Sequence, residues 1–140
     1  MTYIDFSYLR VYIEEKVHDI YANFCGGKNR VAEDKPFIKM PDLFVIAASV
    51  GLENKAFKEL EGRKKDIFLA DAFNKDVHIS VLATIAFSHS NDLSVLLEPR
   101  EVLNIAECYA NGGISYVHEI IISGKGLHPL YKFIDFIQRS

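Results

Sequence analysis

A chain of 140 residues falls in the range of one compact domain, ~100–200 residues. Hydrophobic residues make up 49% and charged residues 25%, with eight glycines and four prolines, which excludes a disordered or low-complexity chain and leaves enough apolar surface for a core. Sixteen basic against nineteen acidic side chains give a formal charge of -3, so no global field draws the protein to nucleic acid or to an anionic membrane.

In chain order, the start Met1-Thr2-Tyr3-Ile4-Asp5-Phe6 has an early acid and no basic leader, so no signal peptide is expected. From residue 6 to 24, apolar side chains at Phe6, Leu9, Ile13, Val17, Ile20 and Phe24 recur in steps of three and four. This spacing predicts an amphipathic helix, stopped by Cys25-Gly26-Gly27. Residues 26–36 are polar and predict a loop. Pro41 and Asp42 then suit a helix start, the run 43–50 is apolar on nearly every side, and Gly51 supplies a stop. That run predicts a buried central helix, and it is far short of the ~20 residues that cross a bilayer.

One or two helical turns are expected over 54–60, with Phe57 and Leu60 inward, followed by an exposed basic turn at Gly62-Arg63-Lys64-Lys65. Residues 67–73 fit strand or helix equally. Asn74 is expected to cap a helix running to about Ser88, with Val81, Leu82 and Ile85 inside. After a turn and a short apolar piece over 91–97, Pro99 opens a helix that Asn111-Gly112-Gly113 is expected to end, with at least one of these glycines at positive φ. A further helix over 114–122 and a last one after His128-Pro129 complete the chain. The fold class is mainly α: one domain over residues 1–140, about six to eight helices, with room for one short strand pair.

Sites of chemistry are scarce in the pattern. His78 and His89 share a helix face but stand ~16 Å apart, too far to share an ion. His118-Glu119 begins like a zinc-protease motif, yet Ile122 occupies the place of its second histidine. Gly124-Lys125-Gly126 lacks the upstream glycine and the Ser or Thr of a phosphate-binding loop. Cys25 and Cys108, 83 positions apart, are expected as reduced thiols. No metal, no cofactor and no catalytic residue are expected, and the protein is expected to be a cytoplasmic non-enzyme with no membrane partner.

The local signal that stands out is electrostatic. Nine of the sixteen cations lie between positions 28 and 65, with six acids, so this window carries +3 and the remainder -6. Lys28, Arg30, Lys55, Lys58, Arg63, Lys64 and Lys65 are the candidate residues for contact with a partner or with DNA phosphates. Pro41, Gly51, Asn111, Gly112 and Gly113 are the candidate structural residues.

Several blocks together carry a resemblance: Asp19-Ile20-Tyr21, Pro36-Phe37, Met40-Pro41-Asp42-Leu43-Phe44, Ala47-Ala48 with Gly51, and Glu107-Cys108-Tyr109-Ala110-Asn111-Gly112-Gly113. In order and spacing the chain resembles the Dnd system-associated protein 4 family, small proteins encoded beside bacterial DNA phosphorothioation and phage-defence genes, from about Val17 to Ile137. It departs from the family pattern at Pro41, where a polar residue is expected, and at Cys108, where a second acid is. The resemblance implies an accessory subunit of a phage-defence system that binds a larger ATPase or nuclease, and it carries over no active-site residue. A DNA-binding module built on the basic loop is the alternative, a small hydrolase or nuclease a third. Self-association stays open.

Overall fold

The computed structural model describes residues 6, 8–25 and 39–123. Lys28, Arg30, the Gly26-Gly27 stop, the loop through residue 36 and the last expected helix lie outside them. In order along the chain come strand β1 (Arg10–Glu14), helix α1 (His18–Phe24), helix α2 (Met40–Glu53), strand β2 (Lys64–Leu69), helix α3 (His78–Ser90) and helix α4 (Pro99–Ser123), with short 3-10 turns at Glu15–Val17, Ala70–Ala72 and Leu93–Leu97. The class is mainly helical with one strand pair, as expected. The count is lower: four α-helices among the described residues rather than six to eight.

The first departure is at the start. Only His18–Phe24 is helical; Arg10–Glu14 is a strand. Within the apparent helical stripe lies a shorter alternation, Val11 and Ile13 buried with Tyr12 between them. Its β-branched and aromatic residues suit a pleated surface. The decision is non-local, because β2 offers an antiparallel partner running from Arg10↔Leu69 to Glu14↔Lys64. Val11 pairs with Phe68 but Tyr12 with Asp66, so Ile67 is an extra residue in β2, a bulge.

Helix α2 is the centre of the core, with residues 41–48 all buried. Pro41 sits in its first turn, where a missing N–H is harmless. Phe44 meets Phe68 and Phe73 at ring distances of 6.1 and 5.9 Å, which ties the helix to β2 and the turn after it. Helix α3 starts at His78 with Val77 ahead of it and no side-chain cap; Asn74, the expected cap, instead accepts from the amides of Asp76 and Val77, each at 2.8 Å, in the turn before the helix.

The glycines correct the expected punctuation. Gly51 does not stop α2, which runs on to Glu53, and Asn111-Gly112-Gly113 does not stop α4, which runs unbroken from Pro99 to Ser123. Gly62 is the one described glycine with positive φ, +74°. A Cβ on Gly113 would overlap the Ala47 carbonyl and come within 2.6 Å of the Gly51 amide; one on Gly51 would overlap the Tyr109 carbonyl, and one on Gly112 the Ala56 carbonyl. These residues are glycine because α2, α4 and the chain after α2 pack backbone to backbone there. The loss of helix propensity, about 1 kcal/mol for each glycine, is offset by that packing.

What ends α2 is a Schellman arrangement. The Ala56 amide donates to the Gly51 carbonyl (2.8 Å) and the Lys55 amide to that of Leu52 (3.0 Å), with Lys55 itself at φ 54°. Residues 56–60, expected as helical turns, take no regular secondary structure instead.

Candidate functional site

Among the described residues five polar ones are buried: Glu14, Asp42, His78, Glu107 and Asn111. Two of them close on each other. His78 Nδ1 accepts from the Asn74 amide (2.9 Å), so its Nε2–H donates to Asp42 Oδ1 (3.0 Å). A neutral imidazole satisfies both contacts, and no ring nitrogen remains to take a substrate proton. This pair joins α2 to the start of α3.

Two others, Glu14 and Asn111, hold the backbone of residues 58–61. Asn111 projects its NH2 from α4 to the carbonyls of Lys58 (3.1 Å) and Glu59 (3.3 Å) and to Glu14 Oε2 (3.0 Å). The same Glu14 oxygen accepts from the Glu61 amide at 2.8 Å. The Lys58 amide donates to the Cys108 carbonyl (3.1 Å), and the Glu15 amide to the Arg63 carbonyl (2.8 Å). At the near end Phe57 stacks on His89 at 4.6 Å and meets Tyr109 edge-on at 5.1 Å. Asn111 is therefore a clamp rather than part of a helix stop.

Burial works against the charge on Glu14, but the Glu61 amide, the Asn111 amide and Lys16, 3.3 Å from Oε1, hold its carboxyl below the usual range. A buried carboxylate with this many donors stays ionised.

The backbone of the segment is thus anchored while its cations face outward: Lys55, Lys58, Arg63, Lys64 and Lys65 are all exposed. They do not form one patch. Side chains alternate along a strand, so Lys64, opposite Glu14, and Lys65, opposite Ile13, leave β2 on different faces.

On the Lys64 side a cleft of about 550 Å³ opens, lined by Tyr12, Glu59, Leu60, Lys64, Arg100, Asn104, Glu107 and Cys108. One wall is an α4 stripe, positions 100, 104, 107 and 108, which share a helix face. Glu107, 8% exposed, forms the floor. Its Oε2 accepts from the Tyr12 amide at 2.8 Å, and the nearest guanidinium nitrogen of Arg100 is 3.9 Å away. Burial pushes the carboxyl up to about 7 despite that amide, Arg100 and Lys64. The Cys108 thiol is pushed up to about 11, by burial and then by Glu107, Glu59 and Glu101. It is a poor nucleophile at neutral pH. No disulfide joins it to Cys25, and among the described residues no group of three or more potential metal ligands converges.

The model of one family, DNA sulphur modification system-associated protein 4, matches residues 14–130. The chain belongs to that family. No curated protein matches it, and no solved structure does. In this DNA sulphur modification system-associated protein the matched span holds the whole basic segment, its Glu14 and Asn111 anchors, and every cleft residue but Tyr12. Among the described residues no helix is long and apolar enough to cross a membrane.

Sequence reasoning missed Glu14, Arg100, Asn104 and Glu107. The last three carried a signal, polar residues spaced four and three apart on one face of a helix. Glu14 carried none, since an acid after Ile13 reads as ordinary surface.

Proposed function

We propose that this DNA sulphur modification system-associated protein is a non-enzymatic accessory subunit that docks on a larger component of a phage-defence system, an ATPase or nuclease, through the basic segment of residues 55–65. Lys55 carries the reading. It occupies the left-handed position of the Schellman arrangement at φ 54°, where glycine is free of strain and a side chain costs about 1 kcal/mol. Strain held at one exposed cation points to a use for that cation. The buried Glu14 and Asn111 support the same reading, because they hold the segment in one shape before any partner arrives, and preorganisation lowers the entropy lost on binding. Exposed cations clustered in one segment of a protein of net negative charge also orient it toward an acidic surface and speed docking.

Reversal of Lys55, Lys58 and Arg63 to glutamate tests the docking. The melting temperature should stay nearly constant, since exposed charges contribute little to stability. Co-purification of the partner from the native host should fall sharply, with a loss that added salt imitates in the unchanged protein. Full recovery of the partner by the reversed protein, with full protection against phage, would overturn the proposal. A salt-sensitive shift of DNA that the same reversal abolishes would put DNA in the partner's place.

A further inference from the structure

The cleft beneath the segment faces inward and has a chemistry of its own. Arg100 is aligned without being neutralised: its Nη1 donates to Asn104 Oδ1 (3.2 Å) and its Nη2 to the Arg10 carbonyl (3.3 Å), both uncharged oxygens. At 3.9 Å its approach to Glu107 is too long for a hydrogen bond. The contact from Arg100 takes the Asn104 carbonyl oxygen, so the Asn104 NH2 is the end left to donate. Lys64 faces the cleft from β2 and makes no ion pair among the described residues. At the floor, Glu107 Oε2 is taken by the Tyr12 amide, so a proton on this carboxyl sits on Oε1 and can be donated.

We propose that this cleft binds the terminal tetrahedral oxyanion of a small phosphate- or sulfate-bearing molecule, held by Arg100, Lys64 and the Asn104 amide above the Glu107 carboxyl. Four donors from two elements match the three or four acceptor oxygens of a tetrahedral anion better than the two of a carboxylate. The volume is that of a small-molecule site, and the floor is recessed enough to favour a terminal group over a phosphodiester substituted on both sides. Other charged or titratable groups face Glu107 too: Tyr12 from β1, Lys64 from β2, Glu59 from the segment after α2, and Arg100 and Cys108 from α4. Glu59 alone among these repels an anion at neutral pH, and it stands at the exposed rim. An anion placed over Glu107 favours the protonated carboxyl. By linkage, a protonated carboxyl then favours the anion. The site shares Lys64 with the docking segment, but its test shares no substitution with the test of docking.

Sulfate is the probe, because it does not titrate near neutrality as phosphate does. Amide resonances of the whole protein, followed during titration, locate it. Sulfate should move the Tyr12 and Asn104 amides saturably and bind about fivefold or more tightly at pH 6 than at pH 8. Arg100→Ala and Lys64→Ala, both at exposed or half-exposed positions, should each weaken it at least about tenfold, a loss near 1.4 kcal/mol. Glu107→Gln should bind with equal strength at both pH values. Shifts confined to residues 55, 58 and 63 would overturn the assignment. So would unchanged affinity in Arg100→Ala, the same affinity at pH 6 and 8 in the unchanged protein, or acetate binding as tightly as sulfate.

Discussion

The contact between α2 and α4 and the anchorage of residues 55–65 lie within one helical turn of each other on α4, and they are built by opposite means. At Gly113 the helix meets Ala47 and Gly51 backbone to backbone, with no side chain between them. At Asn111, two residues earlier, the helix reaches out with an amide and holds an irregular segment by its carbonyls. The first contact stabilises through close packing and exclusion of water. The second buries polar groups, which contributes little net free energy, and in exchange sets a conformation whose outer face is charged. A single helix therefore serves as core on one side and as scaffold on the other, and the two duties should fail separately.

The largest effect is expected from the packed side. Gly113→Ala forces a methyl into the Ala47 carbonyl, which neither helix can avoid by rotating a side chain. A loss of about 3 kcal/mol in denaturant unfolding is expected, at the upper end of overpacking. Loss well under 1 kcal/mol would mean the helices can part cheaply, and the contrast would collapse.

Next comes the pH dependence of Glu107. Its carboxyl titrates near 7 in the folded protein against an ordinary 4.5, so the unfolded chain releases its proton first. The stability given by neutral Glu107 is complete below about pH 4.5 and is lost as the pH rises through 7. Glu107→Gln keeps an oxygen for the Tyr12 amide and carries no charge. It should match the unchanged protein at pH 4 and exceed it at pH 8 by on the order of 2–3 kcal/mol, as read from unfolding curves at both values. Glu14 runs the other way: its lowered carboxyl adds stability at neutral pH that is lost on acidification.

Asn111→Ala sharpens the contrast further. About 2 kcal/mol should be lost, the usual penalty for carbonyls and a carboxylate left without their donor. Hydrogen exchange should quicken at the Lys58 and Glu61 amides while the middle of α2 keeps its protection. Equal loss of protection in both places would make the two regions one cooperative unit. The smallest effect has the opposite sign. Lys55→Gly relieves the left-handed strain and should stabilise the fold by about 1 kcal/mol, while weakening partner recovery.

The same division explains what could be read in advance. Helix α2 and the start of α4 were legible, because each follows from local signals: an unbroken apolar run and a proline. β1 was not, because its strand character depends on a partner more than fifty residues away. Gly112 and Gly113 were misjudged for a related reason. Glycine next to asparagine is a turn signal when only neighbours in the chain are considered, and only the approach of α2 reveals the space it leaves. The basic cluster was legible as charge, whereas the side on which each cation emerges was not.

That last point turns on the extra residue at Ile67. Val11 and Tyr12 leave β1 on opposite faces, so Phe68 and Asp66, their partners, must do so as well. In a regular strand two residues of like parity would share a face. The bulge shifts the phase by one position. Phe68 can then pack on Phe44 while Lys64 stays on the Glu14 side, over the cleft. A regular ladder that kept Ile67 paired, with Phe68 still opposite Val11, would carry Lys64 to the opposite face. The hydrophobic partner of α2 would survive and the cleft would lose a cation, although no residue lining it had been replaced.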